Sequence, residues 1–180
     1  LRARIEATGA RFIVHDRPAE IAPGVWVTGF VPRVHEERNY QVGPDRLLAR
    51  EDGSTVPDIV PDSQSMVIVT PEGPIMISGC GHAGMINTLE HINARISDLP
   101  PQAAIGGFHL FAATPEVMSW TSARIAELGI RHFIGAHCTG IESGYEIRAL
   151  AGLDRDTARV GAIGTRYESG RGIIPGNINR

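Results

Sequence analysis

The chain has 180 residues, 42% hydrophobic and 21% charged, with a formal net charge of -3. That length suffices for one compact core, and the charge gives no electrostatic reason to expect nucleic acid or an acidic membrane surface as partner. No apolar run approaches the ~18 residues needed to cross a bilayer, so no membrane partner is expected either.

Leu1 to Thr8 reads as the end of a helix stopped by Gly9, and the chain opens on leucine, so an upstream segment is expected. Arg11 to His15 reads as a short strand. Turns at Asp16-Arg17-Pro18 and Pro23-Gly24 set off a second strand, Val25 to Val31, with period-2 alternation. Residues 36–65 are polar and rich in Pro, Gly and Asp. They are expected to form a long loop or arm without regular structure.

Met66-Val67-Ile68-Val69-Thr70, the turn Pro71-Glu72-Gly73-Pro74 and Ile75 to Ser78 read as a hairpin of two buried strands. A helix begins near Met85 and carries Met85, Leu89, Ile92 and Ile96 on one stripe, until Pro100-Pro101 stops it. Ala103 to Phe108 is the next strand. Thr114-Pro115-Glu116 combines an N-cap hydroxyl, a proline at the first helical position and an acid in the first turn. Val117, Trp120, Ile125 and Leu128 are expected to line that helix, which Gly129 ends. Ile130 to Ile134 is a strand, Ser143 to Leu150 a helix, Ala158 to Ile163 a last strand, and 170–180 an irregular tail. Strands alternating with amphipathic helices make an α/β fold in one domain spanning 1–180, with 66–140 as its ordered heart.

Three strand ends share a pattern. Ser78-Gly79-Cys80-Gly81-His82, Ile105-Gly106-Gly107-Phe108-His109 and Ile134-Gly135-Ala136-His137-Cys138 each leave an apolar run through glycine to histidine. In α/β sheets ligands bind at the carboxyl ends of strands, and the start of the helix after Gly84 offers free N–H groups to an anion. A lone histidine is more often structural than a ligand. Recurrence at three strand ends favours a shared metal or phosphate pocket built on His82 and His137, since neutral imidazole suits zinc, iron or manganese. His109 fits as a ligand or as a donor to substrate.

Cys80 is a soft ligand or, as a buried cysteine before a turn usually is, a small core residue, and Cys138 either points into the strand-end loop with Thr139 or, as the default reading, packs inertly. Standing beside these histidines rather than in loops to be stapled, they are expected to be reduced, which favours the cytoplasm. His35 ends a strand and is a further candidate ligand, whereas His91 and His132 fall where surface or core roles are favoured. Gly106-Gly107 would let backbone approach whatever the pocket holds.

Ile77 to Gly84, Ile105 to Leu110 and Ala136 to Gly140, in that order, resemble the metallo-β-lactamase superfamily. More narrowly, with Pro23-Gly24-Val25-Trp26 and Gly29 to Arg33, they resemble its branch of dihydropterin ribofuranosyl-aminobenzene-phosphate synthases, related to methanopterin biosynthesis. The resemblance implies a four-layer αβ/βα sandwich of which this chain supplies the second half, a mixed sheet with flanking helices. It also implies a dinuclear site for a divalent metal, zinc before iron or manganese, acting on a phosphorylated or pterin-like small molecule. His82 and His137 would be metal ligands and His109 the proton donor or phosphate contact. Gly106, Gly107, Thr139 and Gly140 would border the substrate.

Two departures accompany the resemblance. The superfamily's His-x-His-x-Asp-His motif is absent, and Gly79-Cys80 stands where relatives often carry Gly-Asp. A fragment, or half of an assembled protein completed by a second copy or a partner chain, is therefore expected. So is an uncovered apolar sheet face that drives self-association. The reading from another class is a non-catalytic module that binds a ligand or assembles with a partner.

Overall fold

The computed structural model describes residues 1–37, 46–50, 52–58, 60–61 and 63–176. After helix α1 (Arg2–Glu6), strands β1 (Ala19–Ala22) and β2 (Val25–Val27) form a hairpin across Pro23-Gly24. Strands β3 (Leu47–Ala49) and β4 (Thr55–Pro57) form another. Then come β5 (Ser65–Thr70), β6 (Gly73–Ser78), α2 (Met85–Arg95), β7 (Ala103–Gly106), α3 (Pro115–Glu127), β8 (His132–Gly135), α4 (Ile141–Leu150) and β9 (Ala158–Val160). Strands β10 (Arg166–Glu168) and β11 (Gly172–Ile174) close the described chain as a hairpin.

Seven strands make one mixed sheet in the order β1-β2-β5-β6-β7-β8-β9. The first three pairings are antiparallel and the last three parallel. Parallel pairing needs a crossover, and α2, α3 and α4 are those crossovers. Their apolar faces cover one side of the sheet. Trp26, Val67, Met76, Ala104, Phe133 and Ala158 lie in register across it and pack with Leu89, Ile92, Met118, Ile125 and Ile147 of the helices. Full burial of each large side chain there contributes roughly 1.5–3 kcal/mol.

The other side is less well covered. Val27, Met66, Ile77, Ile105 and Ile134 form its row. Met66 is 41% exposed, Ile77 and Ile105 are half-buried, and only Ile134 is sealed.

Several expectations change in detail. Among the described residues Arg11 to His15 pairs with no strand, and the strand from Val25 ends at Val27. Within the stretch expected to lack regular structure, β3 and β4 pair because Asp52 accepts from the N–H and hydroxyl of Ser54 and tightens their turn. Residues 38–45, 51, 59 and 62 of that stretch lie outside the described residues, as do 177–180 of the expected irregular tail. The rest of the tail is ordered far enough for β11 to pair with β10.

Helix α3 begins as its signals dictate, with Thr114 Oγ1 accepting from the Val117 N–H. Its buried face is Met118, Thr121, Ser122 and Ile125, however. Val117 and Trp120 turn outward, because Trp120 packs on the ring of His35 at 5.3 Å rather than on the sheet.

Candidate functional site

Strands β6, β7 and β8 run side by side and parallel, so the segments leaving them meet at one edge of the sheet. Each brings a sulfur or an imidazole. Cys80 follows β6, His109 follows β7 and Cys138 lies one residue into the 3-10 turn (His137–Thr139) after β8. Cys80 Sγ stands 3.0 Å from Cys138 Sγ and 3.3 Å from His109 Nδ1. Among the described residues, these three are the group whose donor atoms all lie within 4.8 Å of one another, and no carboxylate joins them.

The backbone is strained to achieve this. His109 has φ 47° and His137 φ 50°, left-handed values unusual for a residue with a β-carbon and typical of functional sites. The N–H of His109 donates to Cys138 Sγ at 3.2 Å, and that thiol faces the Cys80 carbonyl at 3.3 Å.

Glycine is required where the strand ends close on each other. A Cβ on Gly106, at φ 126°, would lie 1.9 Å from the Ser78 carbonyl oxygen, and one on Gly107 would lie 2.3 Å from that of Gly79. What approaches Gly106-Gly107 is thus the chain itself. Thr139 is wholly buried, donating from Oγ1 to the Gly106 carbonyl and accepting from the Phe108 N–H, so its hydroxyl clasps the β7 loop to the β8 turn. Gly140 has φ 85° and serves as the N-cap of α4.

His82 packs edge-on against the His109 ring, with centroids 4.8 Å apart, and Phe111 makes a second T-shaped contact with that ring at 5.0 Å. Burial first, and then the charges His82 and His137 would carry, push the His109 imidazole below its ordinary range. Burial and then the neighbouring Cys138 push the Cys80 thiol up to about 12. His82 and His137 flank the sulfur-imidazole group without belonging to it.

The anion seat expected at the start of α2 is already filled. Glu37, 4% exposed, accepts from the N–H groups of Ile86 at 3.0 Å and Asn87 at 2.7 Å. An internal carboxylate therefore complements the positive end of the helix. Burial raises the Glu37 pKa, and the backbone N–H groups oppose that rise. No motif in the sequence marked this cap, because residue 37 reaches it from 49 positions away.

Arg33 is also brought in by tertiary structure, its guanidinium donating to the His82 carbonyl. His35 lies elsewhere, its Nε2 2.9 Å from Glu90 in a cluster that includes Arg124, beside a cavity of about 470 Å³ lined by Val34, Glu116 and Trp120. His91 faces the Thr28 carbonyl and His132 packs edge-on against Tyr167, both away from the cluster of donors.

No family model matches the chain. It is 32% identical over 145 residues to the 7,8-dihydropterin-6-methyl-4-(β-D-ribofuranosyl)-aminobenzene-5'-phosphate synthase of Methanocaldococcus jannaschii, covering 79% of this chain and 49% of that protein. An uncharacterised protein of the same organism is 28% identical over 131 residues, covering 71% of this chain and 45% of its own length. The chain thus spans about half the length of the curated relatives it matches. A crystal structure of a metal-dependent hydrolase of the β-lactamase superfamily superposes with a TM-score of 0.63 at 27% identity, over 77% of this chain and 51% of that one.

Proposed function

Because the chain belongs to the metallo-β-lactamase superfamily, we propose that it acts within a metal-dependent, hydrolase-fold enzyme on a phosphorylated or pterin-like small molecule, at a dinuclear metal site. The observation that carries this reading is the meeting of three histidine-bearing segments at the ends of β6, β7 and β8. The donor chemistry fits a borderline cation, because imidazoles and thiols stand side by side there.

In this reading His82 and His137 hold the metal, zinc before iron or manganese. Bound there, such an ion would lower the pKa of water towards neutrality and polarise a phosphoryl or acyl oxygen. His109, packed against His82 and Phe111, donates a proton or a hydrogen bond to a substrate oxygen. Gly106, Gly107, Thr139 and Gly140 border the substrate by setting the loop path, with Thr139 acting through the clasp it makes. The partner is a small molecule, and a second copy or another chain completes the assembly.

The test is metal content by mass spectrometry, with turnover of activated phosphate esters and pterin phosphates before and after chelation. Bound divalent metal and turnover lost on chelation are expected. Metal-free protein that turns over none of these substrates after reloading would overturn the reading. The second reading, a non-catalytic module, is favoured by one observation: the helix terminus that would seat a phosphate is occupied by Glu37.

A further inference from the structure

We propose that Cys80, His109 and Cys138 form a thiolate-rich site for one thiophilic divalent cation of the zinc class, distinct in its donors from the imidazole pair His82 and His137. The geometry supplies the argument. Three adjacent parallel strands each deliver one donor, with Sγ–Sγ 3.0 Å and Sγ–Nδ1 3.3 Å. Donors held about 2.0–2.3 Å from a tetrahedral zinc lie some 3.3–3.8 Å apart, so each of these two contacts would open by less than about 1 Å to seat an ion, and the third pair already lies within 4.8 Å.

Three features outside the donor atoms favour a cation over inert packing. His109 takes up a left-handed backbone, φ 47°, and in it the main-chain N–H donates to Cys138 Sγ at 3.2 Å. Such a donor to sulfur is the kind of outer contact that orients a metal-bound thiolate. Gly107 leaves room for that sulfur, since a Cβ there would sit 3.0 Å from it. Both cysteines are half-buried and stand apart from the apolar core, whereas a packing cysteine belongs inside it.

A disulfide explains less. The sulfurs are farther apart than the ~2.05 Å of an S–S bond, and a disulfide gives no role to the imidazole that contacts Cys80. Binding the cation releases the two thiol protons to solvent, with no change of oxidation state. Three protein donors leave a fourth tetrahedral position for water or substrate. Ligation through Nδ1 also leaves the Nε2 proton of His109, so the same residue can still donate to substrate. This site stands on the chain's geometry and does not rest on the hydrolase reading.

The experiment is a cobalt(II) titration of reduced, chelator-treated protein, followed by zinc competition. Expected are a thiolate-to-cobalt charge-transfer absorption saturating near one equivalent and alkylation of both thiols slowed about tenfold by zinc. Cys80→Ser and Cys138→Ser should each lose the absorption while retaining the far-ultraviolet dichroism of the fold.

The proposal is overturned if the wild-type protein gives no such absorption, or if both serine variants keep it. It is also overturned if the isolated protein's thiols resist alkylation until a reductant is added, which identifies a disulfide. No readout uses turnover, so failure here is separate from failure of the hydrolase reading.

Discussion

The parallel and antiparallel halves of the sheet are built from similar apolar residues and do different things. β6, β7 and β8 point the same way, so the segments after them open on one edge and bring Cys80, His109 and Cys138 together. β1, β2 and β5 alternate in direction and are joined to their neighbours by pairing that sends successive ends to opposite edges. Among the described residues no cluster of donors forms there. That half instead carries exposed apolar groups, with Ile21 48%, Phe30 44% and Met66 41% accessible. Crossover helices are the condition for convergence, because only they return the chain to start the next strand in the same direction.

The strongest way to break the contrast is to make one substitution in two places. Gly106→Ala forces a β-carbon to 1.9 Å from the Ser78 carbonyl at φ 126°, so β6 and β7 must separate where the site is built. A loss of about 3 kcal/mol or more in urea unfolding is expected. Gly53→Ala in the β3–β4 turn has a similar backbone demand, φ 81°, but open space around the new atom. It should cost about 1 kcal/mol. Equal losses would mean that strand proximity at Gly106 contributes nothing beyond backbone strain.

Glu37 ties the start of the 36–65 segment to the helix that follows β6, so it sharpens the comparison next. Glu37→Ala removes the acceptor for two N–H groups of α2 and should cost about 2 kcal/mol. Its pKa is raised in the folded state, chiefly by burial. The native state therefore holds this proton at pH values where the unfolded chain has lost it. The stability Glu37 contributes through this linkage is fully present below its ordinary carboxylate range and is lost as pH rises through the raised value. Unfolding free energies measured across that window should fall more steeply with rising pH for the wild type than for Glu37→Gln.

Much of the parallel half was legible because its signals are local. The apolar runs of β6, β7 and β8, the stripe Met85, Leu89 and Ile92, and the Thr114 cap can each be seen within a dozen residues. The glycine-to-histidine endings fall at the edge of the sheet where the sulfur-imidazole cluster lies. They pointed to histidine as the common donor, whereas the tightest cluster places two sulfurs around one imidazole, and only the strand register sets Cys80 against Cys138 across 58 positions. The Glu37 cap and the Arg33 contact with the His82 carbonyl escaped for the same reason. Trp120 was assigned to the core by helical period alone, and its partner His35 comes from a segment whose position no period encodes.

A smaller effect tests whether the parallel edge stores strain for the site. His109→Gly relieves a φ of 47° and deletes the imidazole, and Gly is at ease in that region. With chelator present, the variant should be more stable than wild type by up to about 1 kcal/mol, while losing cobalt binding. Destabilisation instead would mean that the ring's packing against His82 and Phe111 outweighs the strain it imposes.

The smallest effect on stability, and the most informative about the antiparallel half, is expected at Met66. Its side chain stands 41% exposed in the row with Val27 and Ile77, on the sheet face opposite the helices. A charge there meets water rather than the core, so Met66→Lys should change unfolding free energy by less than about 0.5 kcal/mol. It should nevertheless alter association, because an apolar row beside Ile77 and Ile105 is a surface that a second chain can cover. Light scattering at rising concentration should show the wild-type chain self-associating and Met66→Lys shifted towards monomer. If both are monomers at every concentration, the open row is tolerated in water and the sheet's second face needs no partner. If both associate equally, the contact lies elsewhere, and the exposed Ile21 and Phe30 are the residues to change next.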